Sequence, residues 1–299
     1  MVVSSSEAAE IKVGSGTLHS RSPQYRAEIT RSFARAQRLV DSLIGIPVRP
    51  HFELYVADTK SEFDSLTGGA APDWGGAVTM PSLGRIVIKT PALGQQEKSL
   101  GELVAHEYAH IALHHAVGGP PPRWLDEGFA MLVATEWRFE DYIALASANL
   151  FHQLIPLAEI ERVNALDAGQ AQVAYAECYA VVTHFFEQYG ASSFRMVLAE
   201  LRAGRNQNMA LRRAIGVDMH GFQVEAFTAI DARFSFLGAF VDSNVFWMAL
   251  AGLTVAGFVA ARLRRRRRLR ESEEEERRDR LAEGALWTEP TDTTPEDGA

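Results

Sequence analysis

Cysteine is almost missing from this sequence. Cys178 stands alone in 299 residues, so no intramolecular disulfide can form and a disulfide-stapled scaffold is excluded. The compartment stays open, because an exported domain does not require disulfides. Met1 to Glu10 (MVVSSSEAAE) has neither a basic start nor a long apolar stretch and does not read as a signal peptide. A basic face is also lacking. The net charge is -8, and the positive charge is concentrated in Arg264 to Arg268, shortly before the acidic run Glu273 to Glu276. That distribution argues against nucleic acid as a partner. There is no internal repeat, and only one long apolar run, near the C-terminus.

Apolar residues make up 47% of the chain and charged residues 23%, enough for a sizeable core and close to ordinary soluble composition. The first third reads as strand-rich. Ile11 to Ser20 suggests a strand with a glycine turn. Tyr25 to Leu43 carries Ile29, Phe33, Ala36, Val40 and Leu43 at helical spacing. His51 to Ala57 alternates Phe52, Leu54 and Val56 with polar neighbours. Thr59 to Leu66 reads as a short helix capped by Thr59. Gly76 to Thr79 and Arg85 to Lys89 read as further strands. Helices then follow over Gln96 to Val117, from Leu125 or Asp126 to Trp137, and over Asp141 to His152, Gln170 to Tyr189, Ser192 to Arg202, Met209 to Ile215 and Met219 to Phe234. Strands first and helices afterwards predict an α+β fold.

His106-Glu107-Tyr108-Ala109-His110 falls inside the first long helix. A spacing of four puts both imidazoles on one face, one turn apart, where they can grip one metal ion. Glu107 is then placed to take a proton from a metal-activated water and pass it to a leaving amine. His114 continues the same row but stands about 12 Å along the axis from His106, too far to share the ion. His114 and His115 are read as solvent-facing, and His184 as structural. A third ligand six residues after His110 is ruled out, since that position is Ala116. The acidic pair Asp126 and Glu127, opening a second helix after a proline-rich reversal, can return to the first helix.

HEYAH followed by Pro122-Arg123-Trp124-Leu125-Asp126-Glu127-Gly128-Phe129-Ala130 resembles the gluzincin group of MA-clan metallopeptidases, and most closely the bacterial membrane-associated peptidase MA-like domain proteins. The resemblance covers about residues 25 to 235. It implies a zincin-like fold, with a small mixed sheet ahead of the helical part that carries HExxH. It also implies Zn2+ held by His106, His110 and Glu127, Glu107 as general base, and a peptide or protein substrate; Asp126, an acid at the helix start, reads instead as a cap or supporting acid. The stretch Val173 to Glu177 resembles the family's downstream helix and points to Tyr175 as oxyanion donor. Tyr179 and Tyr108 are its rivals. By fold analogy, Gly76 to Thr79 or Arg85 to Lys89 forms the edge that pairs with an extended peptide.

Val245 to Ala261 is an uncharged, mostly apolar run of 17 residues followed at once by arginines. It is expected to cross a membrane once, with a span over 243–263. The expected organisation is a metallopeptidase domain over 1–240, the span, and a charged, disordered cytoplasmic tail over 264–299. Basic flanks stay inside, so the domain is expected outside the cell membrane; this calls for either a leader upstream of Met1, the favoured expectation, or translocation driven by the C-terminal anchor itself. A cytoplasmic domain tethered to the inner face is the alternative topology. The alternative function is a catalytically idle zinc-binding scaffold or binding protein at the membrane. The intact Glu107 argues against it, because a purely structural site has no use for that side chain.

Overall fold

The computed structural model describes residues 9–69, 76–93, 98–161, 168–234 and 247–265. The architecture is α+β, with a five-stranded mixed sheet early in the chain and helices after it. Strands β1 (Ala9–Val13) and β2 (Gly16–Ser20) form an antiparallel hairpin turned at Gly14, whose φ of 58° suits glycine. Helix α1 (Pro23–Ile44) leads to β3 (Glu53–Ala57), which lies parallel to β2. Helix α2 (Lys60–Thr67) starts where expected, with the Thr59 hydroxyl accepting from the Glu62 amide at 3.2 Å. Strands β4 (Ala77–Met80) and β5 (Arg85–Lys89) close the sheet in the order β1-β2-β3-β5-β4. Of the two candidate edges, β5 is therefore interior, held between β3 and β4. The edge is β4, because the hairpin through Gly84 folds it outside its successor.

The period-two alternation sorts the strands into two faces. Leu18, Leu54, Val56, Ile86 and Ile88 join the main core beneath α1 and α3 (Leu100–Val117), while Ala57 and Val87 pack with Phe63 of α2. Phe33 of α1, Phe52 and Tyr108 of α3 meet as rings 4.6–5.8 Å apart. Tyr108 is wholly buried there, its hydroxyl donating to the Val48 carbonyl at 3.3 Å. That contact ties the HEYAH helix to the sheet and removes Tyr108 from the list of oxyanion donors.

Several helix ends differ from expectation, each for a local reason. Helix α3 begins at Leu100, set by a capping box in which Ser99 and Glu102 satisfy each other's amides. Gln96 and Glu97 lie outside the described residues. Helix α4 (Arg123–Ala134) follows Pro122 directly and ends before Trp137, because Thr135 takes a left-handed φ of 60°. Helix α5 (Phe139–Leu150) starts two residues early, where the Asp141 carboxylate accepts from the Arg138 amide at 3.0 Å. Helix α6 (Ala168–Arg202) is broken at Gly190, as the sequence implies. Helices α7 (Gln207–Ile215) and α8 (Met219–Phe234) complete the domain.

The chain divides into two units, Met1–Gly238 and Ala239–Ala299. In the second, Trp247–Arg265 is one helix of 19 residues, fully exposed, long and apolar enough to cross a bilayer by length and composition. Residues 243–246 and the tail beyond Arg265 lie outside the described residues.

Candidate metal centre

The helix pair α3–α4 builds the site. Gly118, at φ 80°, ends α3 by donating its amide to the His114 carbonyl at 2.8 Å, and three prolines reverse the chain into α4. Glu127 then faces His106 and His110. Its Oε2 stands 3.6 Å from His106 Nε2 and 3.7 Å from His110 Nε2, and all three donor atoms lie within 4.8 Å of one another. These separations exceed ordinary hydrogen bonds. Two ligand atoms about 2.0–2.1 Å from one ion in tetrahedral arrangement stand about 3.4 Å apart. Two imidazole nitrogens and a carboxylate at this spacing therefore fit a small divalent cation.

The outer nitrogen of each imidazole is held by a carboxylate, and each carboxylate by a cationic or donor side chain. His106 Nδ1 lies 3.1 Å from Glu136 Oε2, which also receives Lys98 Nζ at 2.7 Å. His110 Nδ1 lies 2.8 Å from Asp126 Oδ1, whose other oxygen is 2.9 Å from His114 Nε2. Fixing Nδ1 in this way directs Nε2 of both rings toward Glu127. The other Glu127 oxygen pairs with Arg123 Nη2 at 2.9 Å, which leaves one oxygen for the histidines.

The charges are strongly coupled. Burial opposes protonation of His106, but Glu136, Glu127 and Glu107 outweigh it and push the imidazole up to about 10. His110 moves up likewise, burial being overcome by Asp126 and Glu127. Burial would raise the carboxyls. Glu136 is nevertheless held down at about 2 by His106 and Lys98, Asp126 lies well below the carboxylate range beside His110 and His114, and Glu127 is lowered by its histidines and Arg123. The excess of buried carboxylate around the two imidazoles thus favours positive charge at this place.

Glu107 follows His106 and is 8% exposed. Its backbone carbonyl accepts from the Thr79 hydroxyl at 3.2 Å, which sets edge strand β4 against α3 at this residue. Among the described residues its carboxylate has no salt-bridge partner. Tyr175 is half-buried beside Arg123 and Glu127. Burial, reinforced by the Glu127 charge, pushes its phenol up to about 12, so it stays a proton donor. Tyr179 instead stacks on Trp137 at 4.7 Å. His184 packs near Phe222, its Nε2 buried with no hydrogen-bond partner among the described residues.

One expectation fails. His114 does not face solvent; it holds Asp126. The axial distance that excludes it as a ligand still lets it reach the acid behind His110. Glu136, Lys98 and Arg123 carry no sequence signal for their places at the site. Glu136 lies outside any helical repeat and reaches His106 only because Thr135 adopts a positive φ, an uncommon conformation for a β-branched residue.

The chain belongs to the Peptidase MA superfamily, whose family model matches residues 36–232. Among curated proteins no significant match is found.

Proposed function

We propose that this protein is a membrane-anchored zinc metallopeptidase of the gluzincin type, with a zincin-like domain that hydrolyses peptide bonds. The observation that carries the reading is the convergence of His106 Nε2, His110 Nε2 and one Glu127 oxygen at metal-ligand spacing. The superfamily membership supports it. His106, His110 and Glu127 would hold the ion, which when bound supplies the Lewis acidity that makes water a nucleophile at neutral pH. The Glu107 carboxylate accepts the proton of the attacking water and delivers it to the leaving amine. The Tyr175 hydroxyl donates to the oxygen that gains charge as the carbonyl is attacked. Asp126 and Glu136 hold the imidazoles in one orientation throughout. Strand β4, the sheet edge nearest Glu107, offers its outer side to an extended peptide.

The apolar helix Trp247–Arg265 supports membrane association. The arginines that end it favour a cytoplasmic tail and an extracytoplasmic domain.

Glu107→Gln tests the chemistry. The variant should keep zinc and lose about a hundredfold to ten-thousandfold in peptide hydrolysis. Zinc bound stoichiometrically, with no hydrolysis by wild type or variant across a peptide library, would favour the idle scaffold instead.

A further inference from the structure

Helix α5 turns an apolar face outward. Of its five exposed residues, Phe139, Glu140, Ile143, Ser147 and Leu150, only Glu140 is charged. Phe139, Ile143 and Leu150 recur at i, i+4 and i+11, which is one stripe of a helix, and Phe151 extends it. These four side chains are 54%, 45%, 50% and 66% exposed. Scattered exposed apolar residues are ordinary, but a contiguous group of large ones marks an interaction surface.

The position of α5 indicates what covers it. The helix packs against the last turns of α8, where the domain ends. The Tyr142 ring is 5.3 Å from Phe234, and the Asn149 amide donates to Asp231 at 3.0 Å. Only twelve residues lie between Phe234 and Trp247, where the apolar helix begins. A chain of that length reaches at most about 45 Å. The exposed α5 face carries no lysine or arginine, so charge would not draw it to anionic headgroups; apolar insertion is what it can offer.

We propose that this face of α5 docks on the surface of a lipid bilayer, with Phe139, Ile143, Leu150 and Phe151 entering the headgroup–acyl boundary as an interfacial helix does. The inference rests on the reading that the C-terminal helix enters a membrane.

Cys178 is the only cysteine and is fully buried, so an introduced surface cysteine can be labelled selectively. The full chain carrying Ile143→Cys or Leu150→Cys is labelled with an environment-sensitive fluorophore and reconstituted into phosphatidylcholine vesicles, with or without lipids carrying a shallow quencher. Arg35→Cys on α1, also exposed, is the control. The chain should float with vesicles. The probes at 143 and 150 should then emit at shorter wavelength and lose most of their emission to the quencher, and the probe at 35 should do neither. A floating chain with no quenching at 143 or 150 overturns the docking. In that case, a blue shift that grows with protein-to-lipid ratio assigns the face to a second copy, and one that does not assigns it to another segment of the same chain. A chain that fails to float removes the membrane reading and the docking with it.

Discussion

Gly128→Ala probes how the fold holds the third candidate ligand. Gly128 follows Glu127 on α4 and lies where α4 crosses α6. A Cβ at this position would stand 2.2 Å from the Cys178 carbonyl oxygen and 2.5 Å from Val182 Cγ2. The first is backbone of a neighbouring helix and cannot swing aside, so α4 must withdraw by about 1 Å to restore ordinary contact. Overpacking of this kind costs about 1–3 kcal/mol, or about 2–12 °C in Tm for a domain of this size. The metal site is less forgiving than the core, because ligand distances tolerate only about 0.2 Å. Zinc affinity should therefore weaken by about 10- to 100-fold, the scale of lost support around a metal ligand. Chelator competition gives the affinity, and thermal unfolding with and without zinc gives the stability. Gly119→Ala, with nothing within 4 Å of the added atom, is the control and should change neither. If Gly128→Ala binds zinc as wild type does and melts at the same temperature, close α4–α6 packing does not position Glu127, and the reasoning fails.

Further outcomes follow from the same geometry. Glu136→Gln should weaken zinc binding by about tenfold or more while leaving the fold intact by circular dichroism. Glu177 is wholly buried and, among the described residues, only its Oε1 is bonded, accepting from the Ile155 amide at 2.8 Å; burial, partly offset by that bond, raises its carboxyl to about 8. A folded pKa above the unfolded 4.5 means that this group's contribution is full below pH 4.5 and is lost as pH rises through 8. Glu177→Gln keeps an acceptor for Ile155 and cannot ionise, so denaturant titrations should show its advantage over wild type growing from pH 5 to 8, to a few kcal/mol at most. Without zinc, His106, raised to about 10, contributes stability that is full below 6.5 and lost as pH rises through 10; Glu136, lowered to about 2, contributes stability that is full above 4.5 and lost as pH falls through 2. Zinc must displace the histidine protons, so the gain in Tm on adding zinc should increase with pH above 6.5; a gain that shrinks over that range would contradict the ligand assignment.

Much of this arrangement is written in local sequence. The four-residue spacing of His106 and His110 needs only a helix to bring them together, and Glu127 needs only the reversal that Gly118 and three prolines impose. The alternation of Phe52, Leu54 and Val56 and the Thr59 cap likewise depend on near neighbours. What was not legible depends on tertiary placement. Glu136 reaches His106 through a left-handed Thr135, which no propensity favours. The distance of His114 from the metal position says nothing of its actual partner, the acid behind His110. The identity of the edge strand was undecided because β4 and β5 differ little in composition, and only the pairing of β5 with β3 settles it. Gly128 stands in the motif that carries the resemblance, but the reason for a glycine there appears only when α6 stands against it.

The most direct test of the central claim is the zinc content of the full chain purified in detergent, measured by elemental analysis beside His110→Ala. About one zinc per wild-type chain and little in the variant are expected, with both folded by circular dichroism. A well-folded wild-type chain that takes up no zinc even when supplied with it, or a variant that binds as much as wild type, would contradict the assignment of His106, His110 and Glu127 as a metal site.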